Sequence, residues 1–284
     1  PYAATLFTGL LSVVAILGTY WLSRRYWGFR AATVAALMLA VSPWAIVFSR
    51  KIWAQNLLPV FAVAWAISAV LAYVERRQAF LAAHLVCLAI AVQIHPAAIG
   101  LLPATLLFLI IFRRRIDWRF FLLGAVLAGL TALPFLWYLF DRWRSESGLP
   151  FSASQSVAGV SFDSLTQAMT IVTGDGVRAL AGLEMTGLPG ESLARVAWAI
   201  LVIAGVGWAM WLVARHRDKP ASEVALICLG WFLSPVLVFA WHWTPVYIHY
   251  FIVLMPAAYL LAGVFVDRIL KTLRPQGRLV AWVL

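Results

Sequence analysis

The sequence predicts an all-α fold, a polytopic transmembrane helix bundle, and three observations carry that expectation. The 284 residues are 64% apolar with a mean hydropathy of +0.91, more Leu, Val, Ala and Trp than a water-soluble core of that length could bury. The apolar sequence falls into about nine nearly uncharged stretches, each roughly long enough for a helix to approach or cross a bilayer. Finally, Lys and Arg sort between the connecting loops with a bias that sets an orientation.

The stretches, in order, are Ala3–Leu22, Ala31–Phe48, Leu57–Val74, Ala79–Ile94, Ala97–Phe112, Phe120–Phe140, Val196–Ala214, Val224–Ala240 and Tyr250–Val266. The two around His95 are short, about 24 Å each at 1.5 Å per residue against a hydrocarbon core of about 30 Å. They therefore read either as two spans or as a re-entrant hairpin with its tip below the outer surface. Both versions return the chain to the same side.

With Arg24–Arg30 placed inside, alternation puts Glu75–Gln78, Arg113–Arg119, Arg215–Glu223 and Asp267–Arg278 inside too. Of the 22 basic residues only Arg50, Lys51, Arg142, Arg144, Arg178 and Arg195 then fall outside, the asymmetry expected of cytoplasmic loops. The net charge of +11 is accounted for by basic loops beside anionic lipid heads. Membrane lipids, and no nucleic acid, are the partners this implies. The expected location is the cell inner (plasma) membrane, as a multi-pass protein.

On this topology residue 1 lies outside, no initiator Met or signal peptide is present, and Ala281–Leu284 reads as the start of another span. The sequence is expected to be a fragment. Its organisation reads as a transmembrane core with an outer-face polar pocket over residues 1–140, an outer loop over 141–195, and C-terminal transmembrane helices over 196–284. Cys87 and Cys228 fall mid-span and read as buried apolar side chains rather than a disulfide or a metal pair.

The 141–195 loop is rich in Ser and Gly at Ser145–Gly148 and Ser152–Gly159. Within it Ser161 can cap a helix, Phe162, Leu165, Met169 and Val172 recur at helical spacing, and Gly174 and Gly176 can end it. Such a helix would lie in the outer interface or pack on the bundle. Gly174-Asp175-Gly176 is a turn with no Walker pattern around it, no internal repeat is evident, and no pair of matching broken spans suggests the inverted halves of a transporter. ATP-driven machinery is disfavoured.

Three sets of polar residues fall at outer span ends. The first is Ser49, Arg50, Lys51, Gln55 and Asn56; the second, Gln93 and His95; the third, Trp241, His242, Trp243, His249 and Tyr250. Polar groups kept beside hydrocarbon often line a hydrated cavity or binding site. Arg50 and Lys51 suit an anionic headgroup, the guanidinium by its two-pronged geometry and the ammonium as a point charge; the competing role is snorkelling. Trp44 and Trp53 read as interfacial belt aromatics.

His95 precedes Pro96 and can cap a helix, and Gln93 can share a polar pocket with it. Pro245 is expected to break any helix carrying both His242 and His249, so a metal site is only weakly signalled. Cofactor need is left open: a divalent metal is the one candidate, and no residue spacing supports it. The outer acidic residues Asp141, Glu146, Asp163, Asp175, Glu184 and Glu191 offer no compelling pair for general-base work.

Taken together, Thr8-Gly9-Leu10, Trp21 through Gly28, Ala35–Ala40, Ser42-Pro43, Phe48-Ser49-Arg50, Gln55-Asn56-Leu57-Leu58, Gln93-Ile94-His95-Pro96 and His249-Tyr250 to Pro256 resemble the membrane core of GT-C glycosyltransferases of the protein O-mannosyltransferase type. The resemblance covers residues 5 to 115 well and the rest loosely. It implies a GT-C-like, mannosyltransferase-like enzyme that moves a hexosyl or pentosyl unit from a polyprenyl-phosphate-linked sugar donor to an acceptor on the outer face, with inversion at the anomeric carbon. The acceptor would be a cell-envelope glycan, a glycolipid or a protein. The alternative function is a lipid or polysaccharide transporter or flippase without transfer activity.

In that family the catalytic acid sits in the first outer loop. Here it is expected upstream of residue 1, which would leave this fragment without its acidic loop. Many relatives carry a carboxylate near the position of Gln55 or Asn56, where this chain has amides. Substrate binding is assigned to Arg50, Lys51, Gln55, Gln93, His95, His249 and Tyr250, with Gln93 and His95 on the sugar side of the pocket.

Overall fold

The computed structural model describes residues 2–145, 159–178, 190–242 and 245–273. Most of the Ser/Gly-rich loop runs, Glu146, Glu184, Trp243 and Ala281–Leu284 lie outside the described residues. The described residues are 87% helical. Its helices in order are α1 (Tyr2–Tyr26), α2 (Phe29–Val41), α3 (Pro43–Ser49), α4 (Leu58–Ala69), α5 (Ala79–Ile94), α6 (Leu102–Ile111), α7 (Trp118–Ser145), α8 (Asp163–Thr173), α9 (Glu191–Arg215), α10 (Pro220–Ala240) and α11 (Met255–Thr272). A two-residue strand β1 (Gly159–Val160) pairs antiparallel with β2 (Trp241–His242).

Each of the nine apolar stretches is helical, but nine is not the number of long spans. Among the described residues, six helical segments are long and apolar enough to cross a membrane, and the α2–α3 pair is a seventh only if its 60° bend is counted within one span. The bend has a local cause. Pro43 opens α3, the Ser42 hydroxyl accepts from the Ala45 N–H at 3.5 Å, and Ser42 itself is extended, so one helix ends and another starts in a new direction. The two stretches around His95 are the short apolar helices Ala79–Ile94 and Pro96–Ile111. α7 runs further than expected, through Pro134 and on to Ser145, taking in Asp141.

The described residues divide into two compact units. One takes 2–51, 170–178, 190–229 and 255–273. α11 is its hub, packed on α1, α2 and α9, with every residue from Met255 to Val264 buried. Lipid is as apolar as Leu, so close approach rather than expulsion of apolar surface holds such helices together. The contacts show it: a Cβ at Gly263 would lie 2.5 Å from the Ala31 carbonyl oxygen, and one at Gly205 would lie 2.6 Å from the Leu261 carbonyl. Tyr259 adds a buried polar tie, its hydroxyl 2.9 Å from Ser42 Oγ and 3.0 Å from the Val172 carbonyl. By contrast Leu6, Phe7, Leu10, Val13 and Leu17 on α1 are exposed, the face a bilayer would cover.

The other unit takes 52–145, 159–169, 230–242 and 245–254. α5 packs between α4 and α7. Its core is aromatic: Trp65 stacks on His84 at 5.0 Å and meets Trp231 edge-on at 6.1 Å, while Tyr73 stacks on Phe112 at 5.2 Å. Two polar atoms in that core have partners nearby, Trp65 Nε1 donating to Thr105 Oγ1 at 3.1 Å and His84 Nδ1 lying 3.0 Å from the Trp65 carbonyl, whereas the Tyr73 hydroxyl and His84 Nε2 are buried without one among the described residues.

Among the described residues, 3₁₀ turns interrupt this second unit at Ala54–Leu57, Pro96–Leu101, Arg113–Arg115 and Ile248–Leu254. Such breaks free backbone groups that need partners wherever water is excluded. Side chains of α10 supply two. Ser234 Oγ donates to the Gly100 carbonyl at 2.6 Å and accepts from the Ala104 N–H at 3.2 Å; Trp231 Nε1 donates to the Val253 carbonyl at 2.8 Å. Ser234→Ala should therefore cost about 1–3 kcal/mol by stranding two buried backbone groups. A full-length variant in detergent with an unchanged Tm would show that these bonds are dispensable.

The helix expected after Ser161 is α8. Ser161 Oγ accepts from the Asp163 N–H at 3.2 Å, and Gly174 and Gly176 end the helix with φ of +80° and +71°. Its packed face is only partly the expected apolar stripe. Ser164, Ala168, Ile171 and Val172 are buried, whereas Phe162 and Leu165 of the expected stripe are exposed.

Candidate functional site

In the second unit the Ala54–Leu57 and Pro96–Leu101 turns both pack on the Ile248–Leu254 turn. Three breaks in helical structure thus meet, bringing Gln55, His95, His249 and Tyr250 into one neighbourhood. The local reason lies in the sequence: Pro96, Pro103 and Pro256 stand at helix starts, where a missing N–H costs nothing. Pro245 likewise precedes a new turn.

The rings assemble edge to face. His95 meets His249 at 5.3 Å between centroids with planes 86° apart, and Tyr250 at 5.7 Å. His249 meets Tyr250 at 4.8 Å and 88°, and stacks on Tyr247 at 5.6 Å. Phe239 closes one side against Tyr250 at 5.2 Å.

His95 also caps the following turn, as its place before Pro96 suggests: Nδ1 accepts the Ala97 N–H at 3.2 Å. An accepting Nδ1 carries no proton, so a neutral ring in this pose bears its hydrogen on Nε2 and keeps that N–H to donate. The cluster combines a positioned imidazole donor, a phenol and a second imidazole on half-apolar walls. Chemically it suits directional bonds to hydroxyls or phosphate oxygens beside an apolar tail.

Gln93 is directed elsewhere. Its amide NH2 donates to the Ala89 carbonyl of its own helix at 3.0 Å and toward Thr131 Oγ1 on α7 at 3.5 Å, so the structure does not join it to the ring cluster through that group. Gln55 is half-buried in its 3₁₀ turn, and Asn56 beside it is buried.

Arg50 and Lys51 belong to the first unit. Arg50 is exposed at the end of α3, its N–H donating to the Val47 carbonyl at 3.3 Å. Lys51 is half-buried, with its N–H on the Phe48 carbonyl at 3.2 Å. Trp53 is 48% exposed, consistent with an interfacial position, but Trp44 is not a belt residue. It is buried, stacks on Phe48 at 5.3 Å, and donates Nε1 to the Asp175 carbonyl at 2.7 Å.

The same unit holds a charged group that the sequence offered only as scattered loop residues. Arg178 pairs with Glu191 at 2.8 Å, and Arg195 pairs with Asp175. The single local signal was the Gly174-Asp175-Gly176 turn. His242 is buried within β2, apart in sequence from the turn that carries His249.

Residues 2–138 match the family described as dolichyl-phosphate-mannose-protein mannosyltransferase. No curated protein matches the sequence significantly. Among solved structures, ArnT from Cupriavidus metallidurans bound to undecaprenyl phosphate is similar over 98% of this chain and 48% of its own, at 17% identity and a TM-score of 0.66. The apo structure of the same protein is similar over 96% and 46%, at 19% identity and a TM-score of 0.58. The chain thus spans about half the length of these structures and shares their fold. Its helical breaks and apolar spans give it the GT-C-like, multi-pass membrane fold of these structures, and its residues 2–138 are similar to the mannosyltransferase family.

Proposed function

We propose that this chain is the membrane core of a glycosyltransferase that moves a sugar from a polyprenyl-phosphate carrier to an acceptor on the outer face. The observation that carries the reading is the mannosyltransferase-family match over residues 2–138. The meeting of His95, His249 and Tyr250 supports it, and so does the ArnT structure bound to undecaprenyl phosphate. In the reaction an acceptor nucleophile attacks the anomeric carbon, the bond to the phosphate oxygen breaks, and polyprenyl phosphate leaves. The nucleophile's proton passes to a base that we do not assign to any residue here. Arg50 is assigned to the carrier phosphate; separately, within the second unit, His95 Nε2–H and the Tyr250 hydroxyl are assigned to sugar hydroxyls. Gln55 and Lys51 are proposed as further substrate ligands.

The test is transfer by the full-length protein in liposomes containing polyprenyl-phosphate sugar. His95→Phe should lower turnover at saturating carrier roughly 10-fold or more, the loss of one positioned donor, with a stability loss of only about 0.5–2 kcal/mol from the missing cap to the Ala97 N–H. Gln93→Leu should cost less than about 3-fold, because its amide is engaged with Ala89 and Thr131. Equal losses in the two variants would return Gln93 to the sugar side. Normal turnover in both would remove the ring cluster from the site, and carrier translocation without transfer would favour a flippase.

A further inference from the structure

The first unit contains a cavity of about 320 Å³ between the start of α3, the end of α8 and the first two turns of α9. That volume falls within the range of small-ligand sites. Its apolar wall is Val41, Pro43 and Trp198; its polar wall is Arg178, Glu191 and Arg195. A second hollow of about 300 Å³ is lined by Asp175 and Ser192 and shares Thr173 and Arg195 with the first.

The walls are held by buried structure. Trp198 meets Tyr259 edge-on at 5.5 Å, and the Tyr259 hydroxyl bridges Ser42 and the Val172 carbonyl. Trp44 fixes the Asp175 backbone through its indole N–H. Gly174 takes a φ of +80°, and a Cβ there would lie 2.7 Å from the Pro43 ring, so only glycine lets the turn approach this closely.

The four charged groups form two neutral pairs, Arg178 with Glu191 and Arg195 with Asp175. Their side chains keep 26–51% of their exposure, and ion pairs that accessible add little to fold stability. The cavity's own lining holds two guanidinium groups and one carboxylate, and Asp175 of the neighbouring hollow pairs with Arg195, so little excess charge is offered to an ion. What the walls do offer is guanidinium donors beside carboxylate acceptors, facing an indole and a proline ring. Vicinal hydroxyls can satisfy donors and acceptors together, while the C–H face of a pyranose or furanose covers the aromatic wall.

From this complementarity we infer that the Arg178–Glu191–Trp198 cavity is a saccharide-binding site, built from residues other than those of the His95 cluster. The N-terminal end of α9, which carries Glu191 and Trp198, is the end that the partition of basic residues assigns to the outer side. A glycan or glycolipid headgroup there would reach the site from the non-cytoplasmic space.

The experiment is ligand-observed saturation-transfer NMR on the full-length protein in nanodiscs, with methyl mannoside, methyl glucoside and inorganic phosphate as probes. At least one glycoside should bind in the millimolar range, with inorganic phosphate not competing. Glu191→Gln should weaken binding at least 5-fold, and Gly207→Leu, whose added Cβ has nothing within 4 Å, should leave it unchanged; binding is read without transfer, so the result stands whatever becomes of transfer activity. If Glu191→Gln lowers Tm, Arg195→Gln on the other pair provides the same reading. Absence of glycoside binding, displacement of the glycoside by phosphate, or undiminished binding in a folded Glu191 or Arg195 variant would overturn the site.

Discussion

Arg50→Ala in the full-length protein is expected to weaken binding of polyprenyl phosphate by roughly 10- to 100-fold, and Lys51→Ala by less than about 3-fold. Arg50 is exposed where α3 ends, and among the described residues its guanidinium has no ion-pair or hydrogen-bond partner. A planar fork in that state can take two phosphate oxygens at once, and hydrogen bonds to charged groups contribute about 1.5–3 kcal/mol. Lys51 is half-buried and already engaged within the protein, so less of its charge remains to be offered. Arg50→Lys should fall between the two, keeping charge and losing the fork. Equilibrium binding in detergent at two salt concentrations reads all three variants, since a phosphate contact at the surface weakens as salt rises. Equal affinity of Arg50→Ala and wild type would remove the clamp, and a larger loss in Lys51→Ala would transfer it one residue on.

The largest structural effect is expected at Gly263 and Gly205. A side chain at Gly263 meets the Ala31 carbonyl oxygen at 2.5 Å, and one at Gly205 meets the Leu261 carbonyl carbon and oxygen at 2.6 Å. Backbone atoms cannot rotate away as a flexible side chain would, so any substituent must push α11 off α2 or α9. Overpacking of a fitted interface costs about 1–3 kcal/mol, and with backbone as the obstacle the upper end applies. Gly263→Ala should lower Tm by several degrees, and Gly263→Leu or Gly205→Leu should abolish monodisperse protein on gel filtration. Gly207 is the control on the same helix, with nothing within 4 Å of its added Cβ; Gly207→Leu should express and melt like wild type. Normal behaviour of Gly205→Leu would show that α9 and α11 are not held by close approach.

Much of the architecture was legible in the sequence because its causes are local. Apolar length marks a helix that a bilayer can accept, and His95-Pro96 and Pro245 mark breaks through the geometry of the proline ring, whereas the break at Ser42-Pro43 inside the expected Ala31–Phe48 span came only with the structure. Ser161 and the Gly174/Gly176 pair delimit α8 by capping and by positive φ. Every one of these signals acts within a few residues of where it is read.

The tertiary structure decided what lies between elements. It set the edge-on meeting of His95 with His249, the turn of Gln93 toward Thr131, the burial of Trp44 and the pairing of Arg178 with Glu191. It also selected Ser164, Ala168, Ile171 and Val172 as the packed face of α8. A soluble helix announces its inner face by an apolar stripe against a polar one. Helices such as α4 and α5 are apolar on nearly every face, so composition fixes that they enter the membrane but not their rotation about their own axes. Rotation is set by close approach at glycine and by the few hydrogen bonds that satisfy broken backbone, and both depend on residues far apart in the chain.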